Sequence, residues 1–405
     1  MKKFLLLTWL ENIVHFDKVE KKMKSLPYLS DDENIFPLIV DEDGFILSRN
    51  SFFNDVKLNI VGNYVSLVDE NKGLYYSSRR NGAIYAMKDR WEKWEQFFLK
   101  PLDCYDKSSE VAIENLNIKK ISIINHEERV NNSIPRIIWM FWDGDETPLI
   151  VKACFEKIKS LNYNYKINIC NFSNINDYVD IKFNEHVDLK IAHKADIIRL
   201  ALLEKYGGVW IDASVLMSLP MDRLISSINN CHVYDVIAFY IEKGNDYENP
   251  VLENWFLAAP QGSSFVAEWL KILLPLKDLG DKKYLEKLKM REDFLRITRK
   301  ISNPGYLLPY VAHQIVLQES NNKFNFFLWN ANFSAFSLQY QFNWDAEVIV
   351  KLLSTVDKNF FSFPHTPIIK FPNSFRRSLD GLLRKDQVRE NSFIYKFIND
   401  ESLIK

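Results

Sequence analysis

The sequence predicts an α/β domain with a mostly parallel sheet, preceded by a small all-β module. Three observations carry this. Residues 36–103 break into short apolar runs (FPLIV, VKLNIV, NYVSLV, GAIYAM) separated by Gly, Asp and Asn, the pattern of strands and hairpin turns. From Ile134 onward, strand-like and helix-like segments alternate at the spacing of crossover units. Between the two, residues 104–132 are polar and read as a linker.

The elements follow in order. The opening MKKFLLLTWLENIVHF resembles a secretion signal, but Glu11 and Asn12 interrupt its apolar run and no small-residue cleavage site follows closely. Residues 1–35 are therefore expected to be helical, with the first 25 able to form an amphipathic helix against a membrane surface. IPRIIWMFW, beginning at Ile134, is a continuous apolar run, as in a strand buried on both faces. PLIVKACFEKIKSLN has helical periodicity, and YKINIC is a short strand. HKADIIRLALLEKY is a helix closed by Gly207-Gly208. VWIDASVLM is a strand, PMDRLISSI a helix and VIAFYI a strand. The alternation weakens after about residue 260, and the α/β domain is placed at 133–375, with a helical tail at 376–405.

Composition narrows the function. A chain of 405 residues is long for one core. Its 52 basic and 53 acidic side chains give a net charge of −1, which offers no electrostatic case for nucleic acid. The four cysteines (Cys104, Cys154, Cys170, Cys231) form no paired metal-ligand spacing and read as reduced thiols. No run approaches about 20 apolar residues, so the reading is a cytoplasmic protein that could sit at the inner face of the membrane.

Chemistry concentrates in KADIIRLALLEKYGGVWIDASVL, residues 194–216. On a strand, Trp210, Asp212 and Ser214 share a face. They stand at a strand's carboxyl end, where open α/β sheets bind ligands. A carboxylate there suits Mg²⁺ or Mn²⁺ holding a diphosphate, and it equally suits a turn cap. Asp196 and Arg199, three apart, share a helix face amid apolar residues. An Asp in the first turn can accept sugar hydroxyls, and an Arg beside it can grip oxygens two at a time. Asp143-Gly144-Asp145 is a rival metal site, but the segment reads first as an ordinary turn. His313 has no paired ligand at metal spacing and reads as structural.

Residues 194–216 closely resemble the A-D-x-x-R…Y-G-G-x-W-x-D-x-D segment of retaining, DXD-containing glycosyltransferases with a GT-A fold, a Rossmann-like architecture. This group includes relatives of the yeast α-mannosyltransferases, the glycosyltransferase domains of clostridial toxins, and the bacterial capsular polysaccharide synthesis proteins. The capsular group is nearest, having W-I-D-A-S/T where the others have D-x-D. IPRIIWMFWDGDETPLIVKAC resembles the family's first strand. The resemblance implies that Asp212, with Ser214, holds a divalent metal, Mn²⁺ or Mg²⁺. It implies that Asp196, Arg199 and Asp212 are the catalytic set. Trp142, Asp196, Arg199, Trp210, Asn254 and Lys370 would bind the nucleotide-sugar, with Lys370 and His365 near its diphosphate. Ser214 departs from the pattern, since a hydroxyl is a weaker ligand than a carboxylate.

The implied function is transfer of a sugar from a nucleotide-sugar, UDP-linked by preference, to a glycan or lipid-linked oligosaccharide in surface polysaccharide synthesis. Two alternatives stand beside it: an effector that glycosylates a protein hydroxyl, and a non-catalytic glycan-binding pseudo-transferase. Residues 50–103 also resemble a fascin-like β-trefoil repeat, through Gly62-Asn-Tyr-Val-Ser, Asn81-Gly-Ala-Ile-Tyr-Ala and Trp94-Glu95. The small β module is accordingly expected to be partly trefoil-like.

Overall fold

The computed structural model describes residues 3–8, 13–26, 35–41, 56–61, 64–78, 83–90, 95, 97–101, 120–123, 133–144, 146–229, 234–242, 249–319, 324–356 and 368–399. The first part is all β. Its strands are β1 (Lys3–Thr8), β2 (Ile13–Asp17), β3 (Lys22–Leu26), β4 (Ile35–Pro37), β5 (Ile39–Asp41), β6 (Val56–Val61), β7 (Tyr64–Asp69), β8 (Leu74–Ser78), β9 (Ala83–Lys88) and β10 (Phe97–Pro101). The order β2-β3-β9-β8-β7-β10-β1 closes on itself where Leu7 of β1 meets Ile13 of β2. The described strands thus form an antiparallel ring around Leu6, Val14, Phe16, Met23, Leu67 and Phe97.

Among the described residues of 1–35, strands and a turn stand where a helix was expected. The apolar run is β1, paired to β10 on one side and β5 on the other. A short apolar run fits either element by periodicity, and here the ring supplies strand partners on both sides. Gly62, Asn81 and Trp94 of the trefoil-like segment lie outside the described residues.

The second part is a mixed sheet with helices on both faces. Its strands are β11 (Lys120–Ile123), β12 (Ile137–Phe141), β13 (Lys166–Cys170), β14 (Gly208–Ile211), β15 (Val215–Met217), β16 (Val236–Ile241), β17 (Val251–Ala259), β18 (Phe326–Asn330) and β19 (Ile368–Lys370). Its helices are α1 (Leu149–Leu161), α2 (Ile191–Tyr206), α3 (Met221–Asn229), α4 (Ser264–Leu273), α5 (Leu276–Lys289), α6 (Phe294–Thr298), α7 (Leu308–Glu319), α8 (Ser337–Gln341), α9 (Ala346–Thr355), α10 (Asn373–Arg384) and α11 (Phe393–Asn399). Seven strands form the main sheet in the order β11-β18-β16-β17-β14-β12-β13.

Alternate residues of its strands feed opposite layers. Ile138, Met140, Val209 and Ile211 join a cluster with residues of α1, α9, α10 and α11. Trp139, Phe141 and Trp210 join a second with residues of α2, α4 and α7. Cys154 and Cys170 are buried free thiols, and burial pushes them up to about 12 and about 11.

Four expectations change. The sheet is mixed rather than mostly parallel: β14–β17, β16–β17 and β11–β18 are antiparallel, against parallel β12–β13, β12–β14 and β16–β18. β16 and β17 are separated only by residues 242–250. A parallel crossover needs a dozen residues or more, so the second strand folds back. The linker at 104–132 contributes an edge strand, β11, whose Ile121 and Ile123 pack on the second cluster. VWIDASVLM is two strands, because Val215 N–H bonds back to Asp212 O at 3.2 Å and turns the chain. The boundary expected at 375 falls inside α10, whose Phe375 and Leu379 belong to the first cluster.

Candidate active site

The parallel strands β12 and β14 end side by side. Trp139 pairs with Trp210 in register, so Trp142 and Asp212 both emerge just beyond the carboxyl edge. α2 reaches β14 through Gly207 and Gly208. Both have positive φ, +64° and +99°, and a Cβ on Gly208 would lie 2.6 Å from Ile137 O. Only glycine turns the helix into the strand this abruptly, and this fixes Asp196 and Arg199 of α2 against Asp212. From the other side, β17 runs antiparallel to β14, and Trp255 O accepts Asp212 N–H at 2.9 Å. Asn254 is thereby brought to the same edge.

The side chains form one network. Arg199 bridges both carboxylates: Nη1 donates to Asp196 Oδ1 and Nη2 to Asp212 Oδ1, the latter at 2.8 Å. Asn254 Nδ2 donates to Asp196 Oδ1 at 2.9 Å. Trp210 Nε1 donates to Asp212 Oδ1 at 3.0 Å, and the Arg199 guanidinium lies 4.8 Å from its ring centre. Lys370, in β19, donates to Asp212 Oδ2 and to Ser214 Oγ, both at 2.9 Å. Ser214 Oγ donates in turn to Phe371 O at 3.0 Å.

Charge and burial set the protonation. Burial raises the Asp196 carboxyl above its ordinary value, against the opposing pull of Arg199 and His193. Burial acts on Asp212 too, but Lys370 and Arg199 together outweigh it and hold that carboxyl below its ordinary value. Asp212 is thus the firmly ionised member, and it is also the more open, at 26% side-chain exposure against 10% for Asp196.

Two residues of this neighbourhood escape sequence reading. Burial pushes Glu253 up to about 7, while the Tyr310 hydroxyl donates to its Oε2 at 2.9 Å. Glu253 adjoins Asn254 in sequence, but neither Glu253 nor Tyr310 carries a local pattern that marks it.

Most of the expected site residues converge: Asp196, Arg199, Trp210, Asp212, Ser214, Asn254 and Lys370 all belong to the network. Some details differ. Asp196 lies in the second turn of α2, not the first, because the helix starts at Ile191. Trp210 is 1% exposed, so its ring cannot stack on a ligand and it acts by orienting Asp212. Trp142 is half-buried, with the Arg376 guanidinium 4.5 Å from its ring centre. Asp143 accepts Phe172 N–H at 3.3 Å, tying the segments that follow β12 and β13, while Asp145 and His365 lie outside the described residues. His313 is structural: it is fully buried, burial lowers it to about 3, and Nε2 accepts Leu252 N–H at 3.2 Å.

The implied divalent metal does not fit these residues. Asp212 Oδ2 and Ser214 Oγ, the two expected ligands, both point at the ammonium of Lys370. Asp212 Oδ1 is saturated by Arg199 and Trp210.

Comparison with known proteins bears on the same residues. Residues 103–294 match a family described as capsular polysaccharide synthesis protein. The matched span contains Asp196, Arg199, Asp212, Ser214 and Asn254, whereas Lys370 lies beyond it. The chain is similar to the O-glycosyltransferase braB of Annulohypoxylon truncatum, 30% identical over 159 residues, which is 35% of this chain and 37% of that protein. It is also similar to the glycosyltransferase afumC of Aspergillus fumigatus, 36% identical over 88 residues, 21% of this chain and 22% of that protein. The chain therefore spans well under half the length of either relative, and neither is bacterial. A solved glycosyltransferase involved in glycosylation of the major capsid of PBCV-1 aligns at 8% identity with a TM-score of 0.31, covering 62% of this chain and all of that one.

Proposed function

We propose that this protein is a glycosyltransferase. It moves a sugar from a nucleoside-diphosphate sugar, UDP-linked by preference, to a hydroxyl of a glycan or lipid-linked oligosaccharide, with retention of configuration. One observation carries the reading. Within the family-matched span, Asp196, Arg199, Asp212 and Asn254 converge at the carboxyl edge of β14, held there by the Gly207-Gly208 turn. Similarity to two proteins named as glycosyltransferases supports the same class.

The roles follow from the chemistry of each group. Asp196 and Asn254 accept and donate hydrogen bonds toward sugar hydroxyls. Arg199 fixes both carboxylates, and Asp212 orients the cationic groups that face the donor. Fixing the sugar's reacting carbon in this way removes much of the entropic barrier to transfer. Positive groups aimed at the departing diphosphate stabilise the charge that develops on it. Trp142, at the neighbouring strand end, is the ring placed to meet the base, with Arg376 moving aside. The amino terminus offers β1 where a membrane-surface role would call for an amphipathic helix.

The test is acceptor-free hydrolysis of a panel of UDP- and GDP-sugars, followed by chromatography of the released nucleoside diphosphate. We expect release from one donor, reduced at least a hundredfold in Asp196→Asn. Equal release by wild type and Asp196→Asn would place the chemistry elsewhere. No release from any donor, with or without added glycan acceptors, would remove the transferase reading.

A further inference from the structure

We infer that Lys370 takes the place of the divalent cation at this site, so that the donor diphosphate is bound and released by a built-in ammonium group and transfer needs no metal. The inference rests on the glycosyltransferase reading above and specifies how that site handles charge.

The geometry that excludes an ion between Asp212 and Ser214 is the geometry that builds the clamp. An ammonium carries three N–H donors. Two of those of Lys370 go to Asp212 Oδ2 and Ser214 Oγ, which leaves one for a phosphate oxygen. The position is fixed rather than incidental. β15 and β19 pair so that Lys370 lies opposite Val215, and Phe371 N–H bonds Ser214 O at 3.0 Å. Gln339 Nε2 also donates to Lys370 O at 2.7 Å. The stem is largely covered, at 14% side-chain exposure, so the ammonium has little freedom to swing away.

Ser214 belongs to the same design. A carboxylate at 214 would give the site a further negative charge, which a single ammonium could not balance. A hydroxyl that donates to Phe371 O instead presents a neutral lone pair to Lys370. α10 begins at Asn373, three residues beyond Lys370, and brings the positive end of a 12-residue helix to the same strand end. A fixed ammonium and a helix N-terminus together make an anion site of the sign and place that a metal would otherwise provide.

The step balances without a metal. The bond from the sugar's anomeric carbon to the β-phosphate oxygen breaks, and its electron pair stays on the phosphate, beside Lys370. The acceptor hydroxyl oxygen forms the new bond to that carbon, and its proton passes to a phosphate oxygen. The products are the glycosylated acceptor and the nucleoside diphosphate.

The experiment is calorimetric titration of the full chain with UDP and with GDP, in EDTA and in Mn²⁺. One of the two is expected to bind with dissociation constants that agree within about threefold across the two conditions. Lys370→Met is expected to weaken that binding about ten- to a hundredfold, and Lys370→Arg to keep most of it. The double variant Ser214→Asp, Lys370→Met rebuilds a two-carboxylate site and is expected to regain binding only with Mn²⁺. Wild-type binding that disappears in EDTA overturns the inference and leaves the glycosyltransferase reading in place. Lys370→Met binding as tightly as wild type also overturns it. No binding of either nucleotide in any condition defeats the underlying reading, and this inference with it.

Discussion

Arg199 holds two carboxylates at once, and one of them, Asp196, is nearly sealed from water. A buried carboxylate that loses its cation has neither solvation nor a partner. Arg199→Met is therefore expected to destabilise the fold by about 3–5 kcal/mol, measured by urea unfolding, on top of any loss of activity. A change under about 1 kcal/mol would mean that Asp196 is neutral in the fold. Glu253 provides a second check at this scale. Burial raises its carboxyl from 4.5 to about 7, so the folded state resists ionisation. Below about pH 4.5 the group is protonated whether the chain is folded or not, and it costs nothing. Between there and pH 7 the unfolded chain ionises first, so stability falls as pH rises, by about 3 kcal/mol in all. Glu253→Gln is expected to flatten that fall in melting temperature, and an unchanged pH profile would contradict it. Of the site's residues, Asp196, Arg199 and Asp212 were readable because their types and spacing are unusual on apolar elements. Glu253 and Tyr310 were not, because nothing local marks a carboxyl and a phenol that meet only after β17 and α7 pack together.

At the scale of elements, Gly207-Gly208 determines where the functional helix delivers its side chains. Alanine at 208 would need an unfavourable φ and would press a methyl on Ile137 O. Gly208→Ala is expected to cost more than about 1 kcal/mol. Gly381, inside α10, has open space within 4 Å of the place its Cβ would take, and Gly381→Ala is expected to gain about 0.5–1 kcal/mol. Thermal melts of the two variants should move in opposite directions, and matching shifts would contradict the distinction. The same scale shows what sequence patterns can reveal. β12, α1, β13, α2 and β16 were visible as long periodic runs or apolar stretches. β1 was not, since KFLLLT fits a helix or a strand until its neighbours are known. The antiparallel pairing of β17 was hidden for a different reason: direction depends on the length of the connection, here residues 242–250, rather than on the strand's own residues.

Across the whole molecule, the β ring and the mixed sheet have separate hydrophobic clusters with no shared member. The family-matched span starts at residue 103, just past β10. The candidate chemistry lies on the sheet, at the carboxyl ends of β12 and β14, and Lys370 joins it from outside the matched span. Nucleotide-sugar binding at this edge is tested by photolabelling of the intact chain with 5-azido-UDP-glucose, with peptide mapping by mass spectrometry and excess UDP as competitor. The prediction is UDP-protected label on peptides around Trp142 or spanning Lys370 to Arg376. Protected label confined to the β ring, residues 3–101, would contradict binding at this edge.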